Sequence, residues 1–309
     1  MSRTVDLPTT ATSRSSRSRG ADRSSRARGP RENPLSRGVA MLIMVVFTLY
    51  FLVPVWWLLV ASTKSRGDLF STNPLWFADL NFGENLSGLL EYDGGVYLRW
   101  ILNSLGYAGG GALVATLLAG MCGYALAKYR FPGRELIFNV VLGGVLVPAT
   151  ALALPLFLLF SQVQLTNTFW AVFLPSIVSP FGVYLARVFA EASVPDELLE
   201  ASRIDGAGEI RTFFTVSIRL MVPALITVFL FQFVGIWNNF FLPLIMLRSD
   251  ELFPVTYGLY AWNSTINQFP ELRTFVLIGA LLSIIPLIIT FLLLQRYWRS
   301  GLGAGALKS

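Results

Sequence analysis

The sequence predicts an all-α integral membrane protein with six transmembrane helices and both termini in the cytoplasm. Three observations carry this. Of 309 residues, 54% are hydrophobic and 14% charged, where an ordinary soluble domain has roughly 25% charged. Six apolar windows, each near the ~20 residues a membrane-spanning helix needs, contain no Asp, Glu, Lys or Arg. Basic residues gather in alternate connections, the pattern that marks the cytoplasmic side.

Residues 1–38 come first. They are rich in Arg, Ser, Gly and Pro and lack the apolar residues to bury a core, so a disordered cytoplasmic tail is expected. This tail accounts for the whole net charge of +6, because the remainder is balanced. Its charged stretch is too long for a cleaved signal peptide, as is the apolar segment behind it. The basic tail suits anionic lipid better than nucleic acid. The membrane domain is then 39–309.

The six windows are Val39–Thr63, Trp100–Ala127, Leu136–Phe169, Trp170–Ala186, Leu220–Leu247 and Thr274–Gln295. The third and fourth run together, separated by the weak polar break Ser161–Thr168. The third helix is therefore expected near 136–160 and the fourth near 168–190. Lys128, Arg130 and Arg134 follow the second helix. Arg187, Arg203, Arg211 and Arg219 follow the fourth, and Arg296, Arg299 and Lys308 the sixth. Eight prolines in or near the spans admit two readings: irregular packing, or helices bent around a pathway that opens and closes. Gly109, Gly110, Gly111 and Gly120 predict close helix approach.

Composition excludes several function classes. With no histidine there is no Ser-His-Asp triad and no His-based zinc site. With Cys122 alone there is no internal disulfide, and no metal site is expected. No Gly-x-x-x-x-Gly-Lys-Ser/Thr phosphate loop is present. No span carries an ionisable residue, which argues against an intramembrane proton relay.

The most informative connection is Val194–Ile210. Pro195 with two following acids starts a helix, and Gly206 and Gly208 end it. Leu198, Leu199, Ala201 and Ile204 fall mostly on one side. Such a helix either rests on its own bundle or enters a partner's groove.

Glu200-Ala201-Ser202, Gly206 four residues on and Val216 ten beyond resemble the "EAA" loop of ABC-importer permeases, here about 194–223. Gly123-Tyr124-Ala125-Leu126-Ala127-Lys128-Tyr129-Arg130-Phe131-Pro132-Gly133-Arg134, Trp237–Leu244 and the segment Gln295–Lys308 are similar to the maltose-type second permease subunit of carbohydrate importers. The resemblance covers 39–309. It departs at Ser202, which replaces an Ala, and at Ile218-Arg219, which replaces Leu-Pro.

The resemblance implies a non-enzymatic membrane subunit in the cell membrane. Its partners would be a second permease, two ATP-binding subunits and an extracellular solute-binding protein. ATP and Mg would be bound by the partner ATPase, with no cofactor in this chain. Its cargo would be a carbohydrate. Leu198, Leu199, Glu200, Ala201, Ser202, Ile204, Asp205, Gly206 and Ala207 would couple the membrane domain to the ATPase.

Two further clusters are candidates. Gln232, Trp237, Asn238 and Asn239 would either line the translocation pathway or bond helix to helix. Tyr260, Trp262 and Asn263 would either meet the binding protein or join an interfacial aromatic belt. Rival readings are the permease of a non-sugar importer, a standalone facilitator whose 194–210 helix is an ordinary surface helix, and an intramembrane enzyme. The last lacks a buried catalytic set.

Overall fold

The computed structural model describes residues 34–306; the expected disordered tail lies outside them except for its last five residues. Those five already belong to a helix, Pro34–Ser62. The chain divides into two compact units at Phe51/Leu52. In the first, every described side chain is exposed, as suits a helix that meets lipid or another subunit.

Among the described residues, five helical runs and one bent pair are long and apolar enough to cross a membrane. The first is Leu35–Ser62, which begins in the first unit and ends in the second. The others are Phe82–Lys128, the bent pair Arg134–Val145 and Ala149–Gln162, Phe169–Ser193, Glu209–Trp237, and Leu272–Tyr297. These are the six expected spans.

Three spans differ in detail from the sequence expectation. The third is not a straight helix near 136–160: its two arms are bent by 102° at Leu146–Pro148. Proline disfavours α geometry in the residue before it and cannot donate its own hydrogen bond. The fifth ends at Trp237 rather than Leu247. A separate short helix, Phe241–Met246, follows. The second starts earlier than Trp100, at Phe82, and Asp93, Gly94 and Gly95 interrupt it with positive φ.

The bent pair carries the chain from one end of the bundle to the other. The second span ends at Lys128, which is ion-paired with Asp196 just beyond the fourth span. Both spans therefore finish at one end. The fourth starts at the other, where the Asn167 amide meets Ser249. The crossing falls to residues 129–168, and the bent pair is its helical part.

Packing centres on the second and fourth spans. Gly123 is the closest point: a Cβ there would meet Ala186 Cβ and the Arg187 backbone nitrogen at 2.6 Å. The glycine heading the Gly123–Arg134 segment is thus needed for two backbones to touch. Gly120 and Gly111 also face neighbouring side chains closely, whereas Gly109 faces open space. The fifth span packs against the second and fourth, and the sixth against the fifth.

Candidate functional site

The Asp196–Ile204 helix lies at the end of the bundle where the second and fourth spans finish. Pro195 supplies an extended N-cap, and Asp196 and Glu197 occupy the first turn, where the helix dipole favours negative charge. The helix ends in a Schellman motif. Ala207 N–H donates to Ser202 O at 2.9 Å and Gly206 N–H to Arg203 O at 3.0 Å. Gly206 holds φ +77°, the left-handed conformation that glycine adopts without penalty.

One side chain anchors this helix to its own protein. Leu199 is 4% exposed and packs in a cluster with Val194, Phe213, Met221 and Leu225. The other apolar residues look outward: Leu198 is 42% exposed and Ile204 87%. Glu200, Ala201 and Asp205 are exposed as well, while Ser202 and Ala207 are half-buried. Ser202 Oγ donates back to Leu198 O at 2.8 Å. The expectation of one apolar side thus divides into an inward anchor and an outward face.

The loop after the second span grips both ends of this helix. Lys128 Nζ donates to Asp196 Oδ1 at 2.8 Å. Tyr129 Oη donates to Glu209 Oε2 at 2.6 Å, and Arg203 Nε donates to Glu209 Oε1 at 2.9 Å. The Lys128 hydrogen bond and charge hold the Asp196 carboxyl below the usual range, with Arg130 and Arg203 adding to the effect. The bond to Glu209 raises the Arg203 guanidinium. Burial, followed by the bond to Glu209, pushes the Tyr129 phenol well up, so it remains a donor. A cleft of about 410 Å³ opens between the two segments, lined by Tyr129, Arg130, Glu200 and Arg203 among others.

Lys128, Tyr129 and Glu209 were not among the sequence candidates. Lys128 stands in the basic connection and in the Gly123–Arg134 segment, with no role of its own in the sequence reading. The signal that could have found them is that the two motif segments, 123–134 and 194–223, fall in connections that the sequence expects on the same side of the membrane. The Ile218-Arg219 departure leaves the helix unbroken: Glu209–Trp237 is continuous through a π-turn at Phe213–Ser217.

The pathway candidates are spread over different environments. Trp237 is 2% exposed and stacked on Phe233. Asn238 is exposed, with Nδ2 donating to Val234 O at 2.9 Å. Asn239 Oδ1 accepts from Leu242 N–H, in the first turn of the Phe241–Met246 helix, at 3.2 Å. Gln232 is half-buried, its Nε2 within 3.5 Å of Ser176 O. Of the external candidates, Tyr260 and Asn263 are exposed, but Trp262 is buried against Trp100 with ring centroids 4.5 Å apart. Trp262 therefore offers no face to a partner.

The family of binding-protein-dependent transport system inner membrane components matches residues 115–302. The chain belongs to this family. It is a membrane permease component, multi-pass and all-helical.

Among its relatives, this permease is 38% identical over 216 residues to the arabinooligosaccharides transport system permease protein AraQ of Halalkalibacterium halodurans, covering 70% of this chain and 76% of the relative. It is 34% identical over 272 residues to AraQ of Bacillus subtilis, covering 86% and 94%. Its fold resembles a chain from the crystal structure of a bacterial ABC transporter involved in the import of the acidic polysaccharide alginate. The TM-score is 0.77 at 23% identity, covering 87% of this permease and 99% of that chain.

Proposed function

We propose that this permease forms half of the translocation pathway of an ATP-driven carbohydrate importer and couples it to a separate ATPase through the Asp196–Ile204 helix. The observation that carries the reading is the outward face of that helix. Ile204 at 87% and Leu198 at 42% exposure are apolar side chains held in water by a helix that its own protein anchors through Leu199. A surface of this shape suits insertion into a partner's groove. The sugar reading is supported by the two AraQ relatives, whose names specify arabinooligosaccharides.

In this reading the outward residues Leu198, Ala201 and Ile204 make the apolar contacts, and Glu200 meets a basic group. Gly206 and Ala207 set the turn, with Ser202 and Asp205 at the helix end. The chain itself hydrolyses nothing: ATP and Mg belong to two ATP-binding subunits. A second permease completes the pathway, and a solute-binding protein delivers cargo at the opposite end, near Tyr260. In this reading both termini lie on the ATPase side, in the cytoplasm; six crossings and basic residues in alternate connections support it. In the pathway, Gln232 and Asn238 offer amides, with Trp237 and Asn239 shaping the backbone behind them.

The test is gentle solubilisation of the tagged chain, identification of what co-purifies, and an ATP hydrolysis assay. Recovery of an ATP-binding subunit and a second permease, with the ATPase lost in Gly206→Asp, is expected. A chain that purifies alone and without ATPase activity across several mild detergents would favour a standalone facilitator.

A further inference from the structure

At the end of the bundle remote from Asp196, a cavity of about 380 Å³ lies between the segment after the first span and the start of the sixth. Its floor includes Trp57 and Leu277, and its rim carries Asn263, Asn267 and Arg273. Phe70 forms one wall, with the Arg273 guanidinium carbon 4.7 Å from its ring centroid.

The rim donors face no anionic partner. Among the described residues Arg273 has no ion pair, and neither rim amide has a side-chain hydrogen bond. Glu271, two residues from Arg273 in sequence, is directed to Arg66 at 3.9 Å. No carboxylate lines the cavity. Arg273 is only half-exposed, so its charge is partly withdrawn from water with only an aromatic face to offset it.

Depth identifies the ligand. Trp57 lies more than one turn before the end of its helix at Ser62, and Leu277 more than one turn after Leu272. At 1.5 Å rise per residue, both stand about 7 Å inside the helix ends. The floor therefore belongs to the apolar layer of the bilayer, while the rim stands at headgroup level. A carbohydrate would leave hydroxyls unpaired against Leu277 and Ile266. A phospholipid matches both halves: its phosphate oxygens suit a guanidinium fork and two amides, and its acyl chain suits the floor.

We propose that this cavity binds the headgroup phosphate of an anionic phospholipid, held by Arg273, Asn263 and Asn267 over Trp57. The proposal requires membrane insertion and is independent of which cargo the permease carries.

Lipids brominated on the acyl chain quench tryptophan on contact. The full-length chain in mild detergent is titrated with brominated phosphatidylglycerol and, separately, brominated phosphatidylcholine. The Trp57 component is isolated by subtracting the Trp57→Phe signal. Saturable quenching of Trp57 by phosphatidylglycerol, weakened on the order of tenfold by Arg273→Gln, about 1.4 kcal/mol, is expected. Equal quenching by both lipids, or an unchanged titration in Arg273→Gln, overturns the proposal. Displacement by inorganic phosphate would reassign the site to a free anion, and displacement by maltotriose to a sugar; either overturns the lipid assignment. Should Arg273→Gln not stay monodisperse, Asn267→Leu at an exposed position serves instead, and it must also weaken phosphatidylglycerol quenching.

Discussion

Lys128 Nζ stands 2.8 Å from Asp196 Oδ1 and joins the last turn of the second span to the first turn of the helix that bears the outward apolar face. Lys128 is 8% exposed and Asp196 74%. The pair thus has one partner buried in the bundle and one on the exposed surface. With the Tyr129–Glu209–Arg203 set at the other end, the helix is held at both termini while its apolar face stays free.

Leu199 and Ile204 should separate folding from docking. Leu199→Ala removes the buried anchor and should destabilise the loop by about 2–5 kcal/mol. Ile204→Asp alters a side chain 87% exposed and should leave stability within about 0.5 kcal/mol. It should nevertheless weaken capture of the ATP-binding subunit by on the order of tenfold. Thermal unfolding and co-purification read the two quantities independently.

Gly206→Asp should insert normally and fail to couple. Its φ of +77° costs an L-residue about 1–2 kcal/mol, and the Schellman end that orients Ala207 would loosen. Transport and ATP hydrolysis measured together should both fall, with membrane content unchanged. Uptake at the parent rate would contradict the docking role.

The two-ended grip should have a pH window. Asp196 is depressed by Lys128, so its contribution is complete above the unfolded carboxyl pKa of about 3.9 and is lost as pH falls further. Tyr129 is raised, so its contribution is complete below the unfolded phenol pKa of about 10 and is lost as pH rises through the higher folded value. Protection of residues 196–212 in hydrogen exchange, corrected for intrinsic rates, should be flat between these limits. Tyr129→Phe should remove the alkaline limb.

Trp262 and Tyr260 should divide by role. Trp262→Ala opens a cavity beside Trp100 and should cost about 3–5 kcal/mol. Tyr260→Ala, at an exposed ring, should spare stability and reduce stimulation of ATP hydrolysis by the solute-binding protein. A melting curve and a stimulation assay distinguish them.

Asn239→Ala should lower stability by about 1 kcal/mol through loss of the hydrogen bond from Leu242 N–H, whereas Asn239→Asp keeps the acceptor and should restore it. A change of cargo preference in Asn238→Ala alone would mark Asn238 as the pathway amide.

Much of the bundle was legible because apolar length without charge is a one-dimensional signal. The helix bearing Leu199 was legible too, since Pro195, the first-turn acids and Gly206 each mark its ends locally. What escaped depends on three-dimensional neighbours. The apolar window from Leu220 to Leu247 contains no charge at Asn238–Phe240 to announce a break. Trp262 looks like an interfacial aromatic until Trp100 is placed against it. Lys128 and Asp196 are far apart in sequence, and nothing in either segment alone specifies the other.

The elbow at Leu146–Pro148 bears on the choice of membrane. At 1.5 Å per residue its arms are about 18 and 21 Å long and, bent by 102°, reach only about 25 Å end to end. A typical hydrocarbon layer is about 30 Å thick. Where the two arms alone fill the hydrocarbon layer, a thinner bilayer or a straighter elbow is favoured, and either coupling costs free energy that grows with acyl-chain length. Reconstituted activity should therefore depend on lipid chain length and fall in thicker bilayers, even with headgroups held constant.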